Sequence, residues 1–287
     1  MAFCDYIYSV MNLKIILPAI ISDGRLDTIL GLLSAVRDDS FKTHLILDWS
    51  NVKEISPAGF AILACVFDSL VEQGCTVTSK KIKKELKEIP VIKNFIHINE
   101  FKNLPPPNIH SFENNKIILR GNTTLVDIFF QEYVKNKFSF ILSDDLIYSV
   151  NLISNELMQN SVDHSTSERY YIYAGLWKNE FHVGVLDMGV TIPAKLKQKY
   201  KCENDLEYLE LSLQEGIGTR RQRPGGLGLS YFFDYLKEHK GRLTILSRGA
   251  QIRKYFNTRR SQKNLLKYPL YGTWCFSRFN LLVRRSA

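Results

Sequence analysis

Residues 144–164, DDLIYSVNLISNELMQNSVDH, decide how the second half of the chain is read. Ile147, Val150, Leu152, Ile153, Leu157 and Val162 recur at the spacing of a helix with one apolar face. Glu156 and Asn160, four residues apart, project from one side of that helix. A carboxylate and an amide stacked in this way can hold a divalent cation and orient a water.

Downstream, Phe181–Asp187 reads as an apolar strand ending on an acid, followed by Gly189 and then Ile192–Pro193. Such an acid can accept a hydrogen bond from an exocyclic amine, while the glycine lets a planar ring approach the backbone. Residues 216–229, GIGTRRQRPGGLGL, are glycine-rich, carry Arg220, Arg221 and Arg223, and run into an apolar helix. Backbone N–H groups at a helix start and guanidinium groups both favour phosphate. The residue order is not that of a P-loop, and the glycines follow no Rossmann strand.

In this order and spacing the three segments resemble the GHKL family of ATPases, which includes histidine-kinase ATP-binding domains, anti-sigma-factor serine kinases and gyrase. The resemblance covers about residues 140–287 and implies an α/β sandwich that binds ATP with Mg2+. It gives Glu156 the part of catalytic base or water-orienting acid and Asn160 that of the amide ligating Mg2+. Asp163 and His164 fall on the next turn, among polar groups that face the nucleotide. Asp187 matches the aspartate that reads the adenine amine, and Gly189 the glycine beneath the ring. Gly226 and Gly228 match the glycines closing the phosphate side of the lid, where Arg220, Arg221 and Arg223 would meet phosphate. Gly272–Thr273 resembles the pair opening the last strand, whose hydroxyl meets the aspartate. Thr191 departs from the pattern: it stands where the family has a second glycine, so a side chain there is expected to reshape the adenine pocket.

Toward the N-terminus, Leu13–Leu17 and His44–Asp48 read as strands around a helix that begins near Arg25. Pro57 suits a helix start, and Phe60, Leu63, Ala64, Phe67 and Leu70 keep helical spacing until Gly74. A strand over Cys75–Ser79, a Lys-rich helix over Ile82–Phe95 and a proline run at 105–107 follow. The stretch 45–77 resembles the STAS domains of anti-sigma-factor antagonists, a likeness that extends over about residues 12–100. It implies a docking or sensing module. The phospho-acceptor position of that family is Ala58 here, which has no hydroxyl, and Ser56 reads as a helix-entry residue. The expected organisation is a STAS-like domain at 1–107, a connecting segment at 108–139 and an ATP-binding domain at 140–287. The connecting segment holds a strand at Lys116–Arg120 and a helix at Leu125–Lys135. The expected fold class is α/β in the two-layer α+β sense.

At 45% hydrophobic and 23% charged, the 287 residues exclude a disordered or collagen-like chain. The net charge is +9, but residues 241–287 hold 11 Lys/Arg and no Asp/Glu, so the basicity lies in that last stretch. Such a tail suits nucleic acid, anionic lipid, an acidic protein or polyphosphate, and charge does not choose among them. Five scattered cysteines without a C-x-x-C pair suggest neither a disulfide framework nor a zinc knuckle. No apolar run approaches the ~18 residues of a membrane span, so a soluble cytoplasmic protein is expected. The expected function is a Mg–ATP-dependent regulator, an ATPase or serine/threonine protein-kinase-like enzyme acting on a protein partner, with a homodimer left open. The alternatives are a non-catalytic ATP sensor, which Thr191 favours, and a nucleic-acid-binding ATPase using Arg253–Lys267, where Tyr255 and Phe256 interleave with the charges.

Overall fold

Four layers stack in the order small sheet, helix pair, large sheet, helices. The computed structural model describes residues 11–37, 43–87, 108–112, 116–122, 129–164, 169–217 and 227–281. In the N-terminal unit, β1 (Met11–Ile16), β3 (Thr43–Asp48) and β5 (Thr76–Lys80) form a parallel sheet in the order β1-β3-β5. The two-residue strands β2 (Ile20–Ile21) and β4 (Glu54–Ile55) pair beside it. Its helices are α1 (Asp27–Arg37), α2 (Pro57–Glu72) and the short α3 (Lys84–Lys87). The rest of the expected Lys-rich helix, 88–95, and the proline run at 105–107 lie outside the described residues.

The large sheet contains β6 (Asn108–Phe112), β7 (Lys116–Asn122), β8 (Arg169–Trp177), β9 (Glu180–Asp187), β10 (Arg242–Tyr255) and β11 (Arg260–Asn280). Their order is β10-β11-β9-β8-β7-β6, and every neighbouring pair is antiparallel. The described residues are therefore α+β, with a three-stranded and a two-stranded parallel sheet and one antiparallel sheet. One face of the large sheet carries α4 (Phe129–Phe138), α5 (Asp144–His164) and α8 (Leu227–Glu238), and the short α6 (Ile192–Leu196) and α7 (Asp205–Leu211) lie near β10. The segment 108–139, expected to connect two domains, instead supplies two strands of this sheet and a helix of its cover. The second unit thus begins near residue 108 rather than 140. Local periodicity shows a strand and a helix there but not their sheet partner, because antiparallel pairing is non-local.

Strand alternation divides the large sheet between two cores. Tyr170, Ile172, Phe181, Val183 and Val185 face α4, α5 and α8. Tyr171, Tyr173, Leu186, Trp274 and Phe276 face the N-terminal unit, in one cluster with Ile29, Leu45, Phe60, Leu63 and Leu70. The helix between these two sheets is α2, and it is apolar on nearly its whole circumference, with Ala58, Phe60, Ala61, Ile62, Leu63 and Cys65 all buried. The Ser56 hydroxyl opens it by accepting from Gly59 N–H at 3.0 Å, a helix-entry role for a fully buried serine. A Cβ at Gly59 would overlap the Ile21 carbonyl oxygen, so the approach of β2 demands glycine.

Charges are buried at the same junction. Asp23, between β2 and α1, meets the guanidinium of Arg278 and, at 3.4 Å, that of Arg242, while Arg253 donates to its backbone carbonyl at 3.1 Å. Arg278 also reaches Glu180 at 3.2 Å, and His182 Nε2 stands 3.4 Å from the same carboxylate without hydrogen-bonding geometry. A second tie joins Arg169 to Asp68 at 3.2 Å and to Glu72, with the Tyr171 hydroxyl donating to Asp68. Burial alone would raise the Asp23 pKa, but Arg278 and Arg242 outweigh it and hold the carboxyl below its usual range. Glu180 likewise resists burial and is lowered to about 2, through His182 and Arg278. Burial pushes His182 down, toward the neutral ring.

Acid should loosen this junction. All three groups bind protons more weakly in the folded protein, so the unfolded chain protonates first and stability falls with pH. The fall starts near the ordinary histidine value of 6.5 with His182 and steepens below 4.5 as Glu180 and then Asp23 follow. Urea midpoints measured between pH 7.5 and 4 should decrease throughout. Asp23→Ala should cost about 3–5 kcal/mol at pH 7 by leaving the buried Arg278 and half-buried Arg242 guanidinium groups short of counter-charge. A midpoint flat with pH and a near-neutral Asp23→Ala would show that the junction does not hold the layers together.

Candidate functional site

Helix α5 begins at Ser143, whose hydroxyl accepts from Leu146 N–H at 3.3 Å, and its first turn carries Asp144 and Asp145, the favourable charge at a helix N-terminus. Ile147, Val150, Ile153 and Leu157 bury one face against the sheet. Glu156 and Asn160 lie on the flank of that face, each half-buried. Asp163 is exposed, and its carboxylate accepts from Gln159 Nε2 one turn earlier at 2.7 Å. His164 is the last residue of the helix, and its side chain is outside the described residues.

Across the sheet, pairing aligns Tyr170, Asp187, Thr273 and Ser247 in one row over β8, β9, β11 and β10. Alternation turns the row to the helical face, the side that α5 covers. Asp187 ends β9 at 6% exposure, and its Oδ1 accepts from Gly189 N–H at 3.0 Å. Gly272 brings β11 against it: φ is 110°, and a Cβ there would overlap the Asp187 carbonyl oxygen. Thr191 is buried as the N-cap of α6, with its hydroxyl accepting from Ala194 N–H at 3.3 Å. The side chain expected to reshape an adenine pocket is thus folded into a helix cap. The Thr273 hydroxyl lies 2.9 Å from that of Ser247.

The sheet side and α5 bring Glu156, Asn160, Asp187, Gly189 and Thr273 to one side of the sheet, and Gly228 sits in the first turn of α8, which packs beside α5. Arg220, Arg221, Arg223 and Gly226 lie outside the described residues. Among the described residues no three His, Cys, Asp or Glu side chains converge on a metal position. The donors at hand are the Asn160 amide oxygen and the Glu156 carboxylate. That small set fits Mg2+, which is commonly bound by one or two protein oxygens together with phosphates.

Sequence reasoning passed over Tyr170 and Ser247, because their place in the row depends on strand pairing. Ser247 did leave a signal: a hydroxyl on the face where Leu243 and Ile245 are buried and apolar. The basic C-terminal stretch forms the β10–β11 hairpin, closed at Tyr255 and Arg260. Part of its charge is met within the chain: Arg242 and Arg278 by Asp23, Arg248 by Asp205 at 3.5 Å, and Lys263 by Glu210.

No protein-family model matches the chain, and no curated protein sequence matches it. No helix among the described residues is long and apolar enough to cross a membrane.

The approach of Gly272 to Asp187 can be tested apart from any ligand. Gly216 has a φ of 76° but nothing within 4 Å of a built Cβ, so Gly216→Ala should cost only about 1 kcal/mol of conformational strain. Gly272→Ala adds a backbone overlap and should cost about 3 kcal/mol or more. Equal losses in thermal unfolding would mean that the two strands do not meet this closely.

Proposed function

We propose that this chain is a Mg–ATP-binding regulator of the GHKL type, an ATPase or serine/threonine protein kinase that acts on a protein partner docked through the STAS-like N-terminal unit. The observation that carries the reading is the buried Asp187 carboxylate at the end of β9, on the sheet face covered by a helix whose flank presents Glu156 and Asn160. Asp187 accepts from the adenine amine, and the Gly189 N–H holds its carboxylate in place. Asn160 offers its amide oxygen to the metal. Glu156 takes the proton from the attacking water or serine hydroxyl. Bound Mg–ATP would supply the transferable phosphoryl group and the charge neutralisation that such a transfer needs.

The sensor alternative is favoured by Thr191, whose hydroxyl caps a helix.

Calorimetry with Mg–ATP and a non-hydrolysable analogue, followed by phosphate release from the same sample, tests the reading. Both nucleotides should bind and ATP should turn over. Glu156→Ala should abolish turnover while keeping affinity within a few fold, because a general base acts mainly in the transition state. Asp187→Asn should weaken ATP at least about tenfold and narrow its preference over GTP, as expected for losing one charge-assisted hydrogen bond. An unchanged ATP/GTP ratio in that variant would sink the adenine assignment.

A further inference from the structure

Ser247 is fully buried, and its hydroxyl has three neighbours. Ile192 N–H donates to it at 2.9 Å, the Gly272 carbonyl lies at 3.2 Å and the Thr273 hydroxyl at 2.9 Å. A serine hydroxyl has one proton and two lone pairs. The Ile192 N–H can only donate, so it occupies one lone pair. The Gly272 carbonyl can only accept, so it takes the proton. One lone pair remains for Thr273, which is then the donor when all three bonds are made. The Thr273 proton is thereby committed to Ser247, and its own lone pairs are what it presents beside Asp187, its partner on the neighbouring strand.

We infer that Ser247 is a specificity-determining residue: by fixing the direction of the Thr273 hydroxyl, it makes Asp187 and Thr273 a pair of acceptors that reads the two N–H donors of an exocyclic amine and rejects a carbonyl oxygen. The inference rests on the proposed nucleotide reading of this site and says which purine the site takes. Adenine carries an amine at position 6. Hypoxanthine and guanine carry a carbonyl oxygen there, which would face two acceptors with no proton between them. Ser247 acts through Thr273 and is a positioning residue, with no contact to the ligand required.

Mg–ATP and Mg–ITP are the probes, because their bases differ only in this amine-to-carbonyl exchange and the N1 proton that accompanies it. The wild-type protein should bind ATP well ahead of ITP. In Ser247→Ala the Thr273 proton is released to serve a carbonyl, and the ATP/ITP affinity gap should shrink about tenfold, the size of one hydrogen bond of changed polarity. Ser247→Thr keeps a hydroxyl at the position and should restore the gap. Thr273→Val removes the reoriented group itself and should narrow the gap by a similar factor, with the double variant adding little, since the two residues act in series. This second route keeps the test open should Ser247→Ala fold poorly. An unchanged gap in Ser247→Ala overturns the inference, as does an equal loss of ATP and ITP affinity, which is the mark of a structural prop. Wild-type protein that binds neither nucleotide would overturn the nucleotide reading itself, and wild-type protein that binds both equally would overturn the acceptor pair alone.

Discussion

At its centre, along β8 and β9, the large sheet is dry on both faces, and that constraint governs the rest of the structure. Every residue of β9 from Phe181 to Asp187 is buried, as are Tyr170, Tyr171, Ile172, Tyr173 and Ala174 of β8. A sheet of this kind has no solvated side on which to keep polar groups. They must stand at strand ends, as Asp187 does, or be matched within the interior, as Arg278 is by Asp23 and Glu180. The N-terminal unit is what dries the back of the sheet, and it does so with a helix that has almost no polar face.

The charges at that junction act differently from the apolar contacts around them. A buried ion pair adds little over well-packed apolar side chains, but removing one partner is costly. Asp23 therefore contributes less to the total stability than to the choice of arrangement: any packing of the two units that parts it from Arg242 and Arg278 strands two buried charges and a half-buried one. Apolar clusters tolerate small slips, whereas this contact does not. Arg253, which grips the Asp23 carbonyl, extends the same selection to the β10–β11 hairpin.

Elements that declare themselves through local pattern were legible in the sequence. The helix over 144–164 has a clean apolar face and appears with those limits, and Pro57 marks the start of α2. The strand ending at Asp187 is a continuous apolar run with an acid at its end. What escaped depends on partners distant in sequence. Nothing near 108–122 says that these residues pair next to β8, and nothing near Asp23 says that a turn aspartate meets arginines more than 200 residues away. Thr191 was legible as a departure from a pattern but not as a cap, because its partner is the amide of a five-residue helix too short to show periodicity. The basic C-terminal stretch shows the same limit. Its composition reads as a charged surface, while Arg242, Arg248, Lys263 and Arg278 meet acids carried elsewhere on the chain.

The shared core also bears on how the chain can be divided. Tyr171, Tyr173, Trp274 and Phe276 belong to the second unit by strand and to the first by packing. Cutting between the units would leave this aromatic surface wet, together with two arginines whose shared acid had departed with the other piece. Such a fragment would be sticky rather than inert, with a broad oily plane suited to self-association. Working halves are thus better sought by weakening single contacts in the intact chain than by truncation.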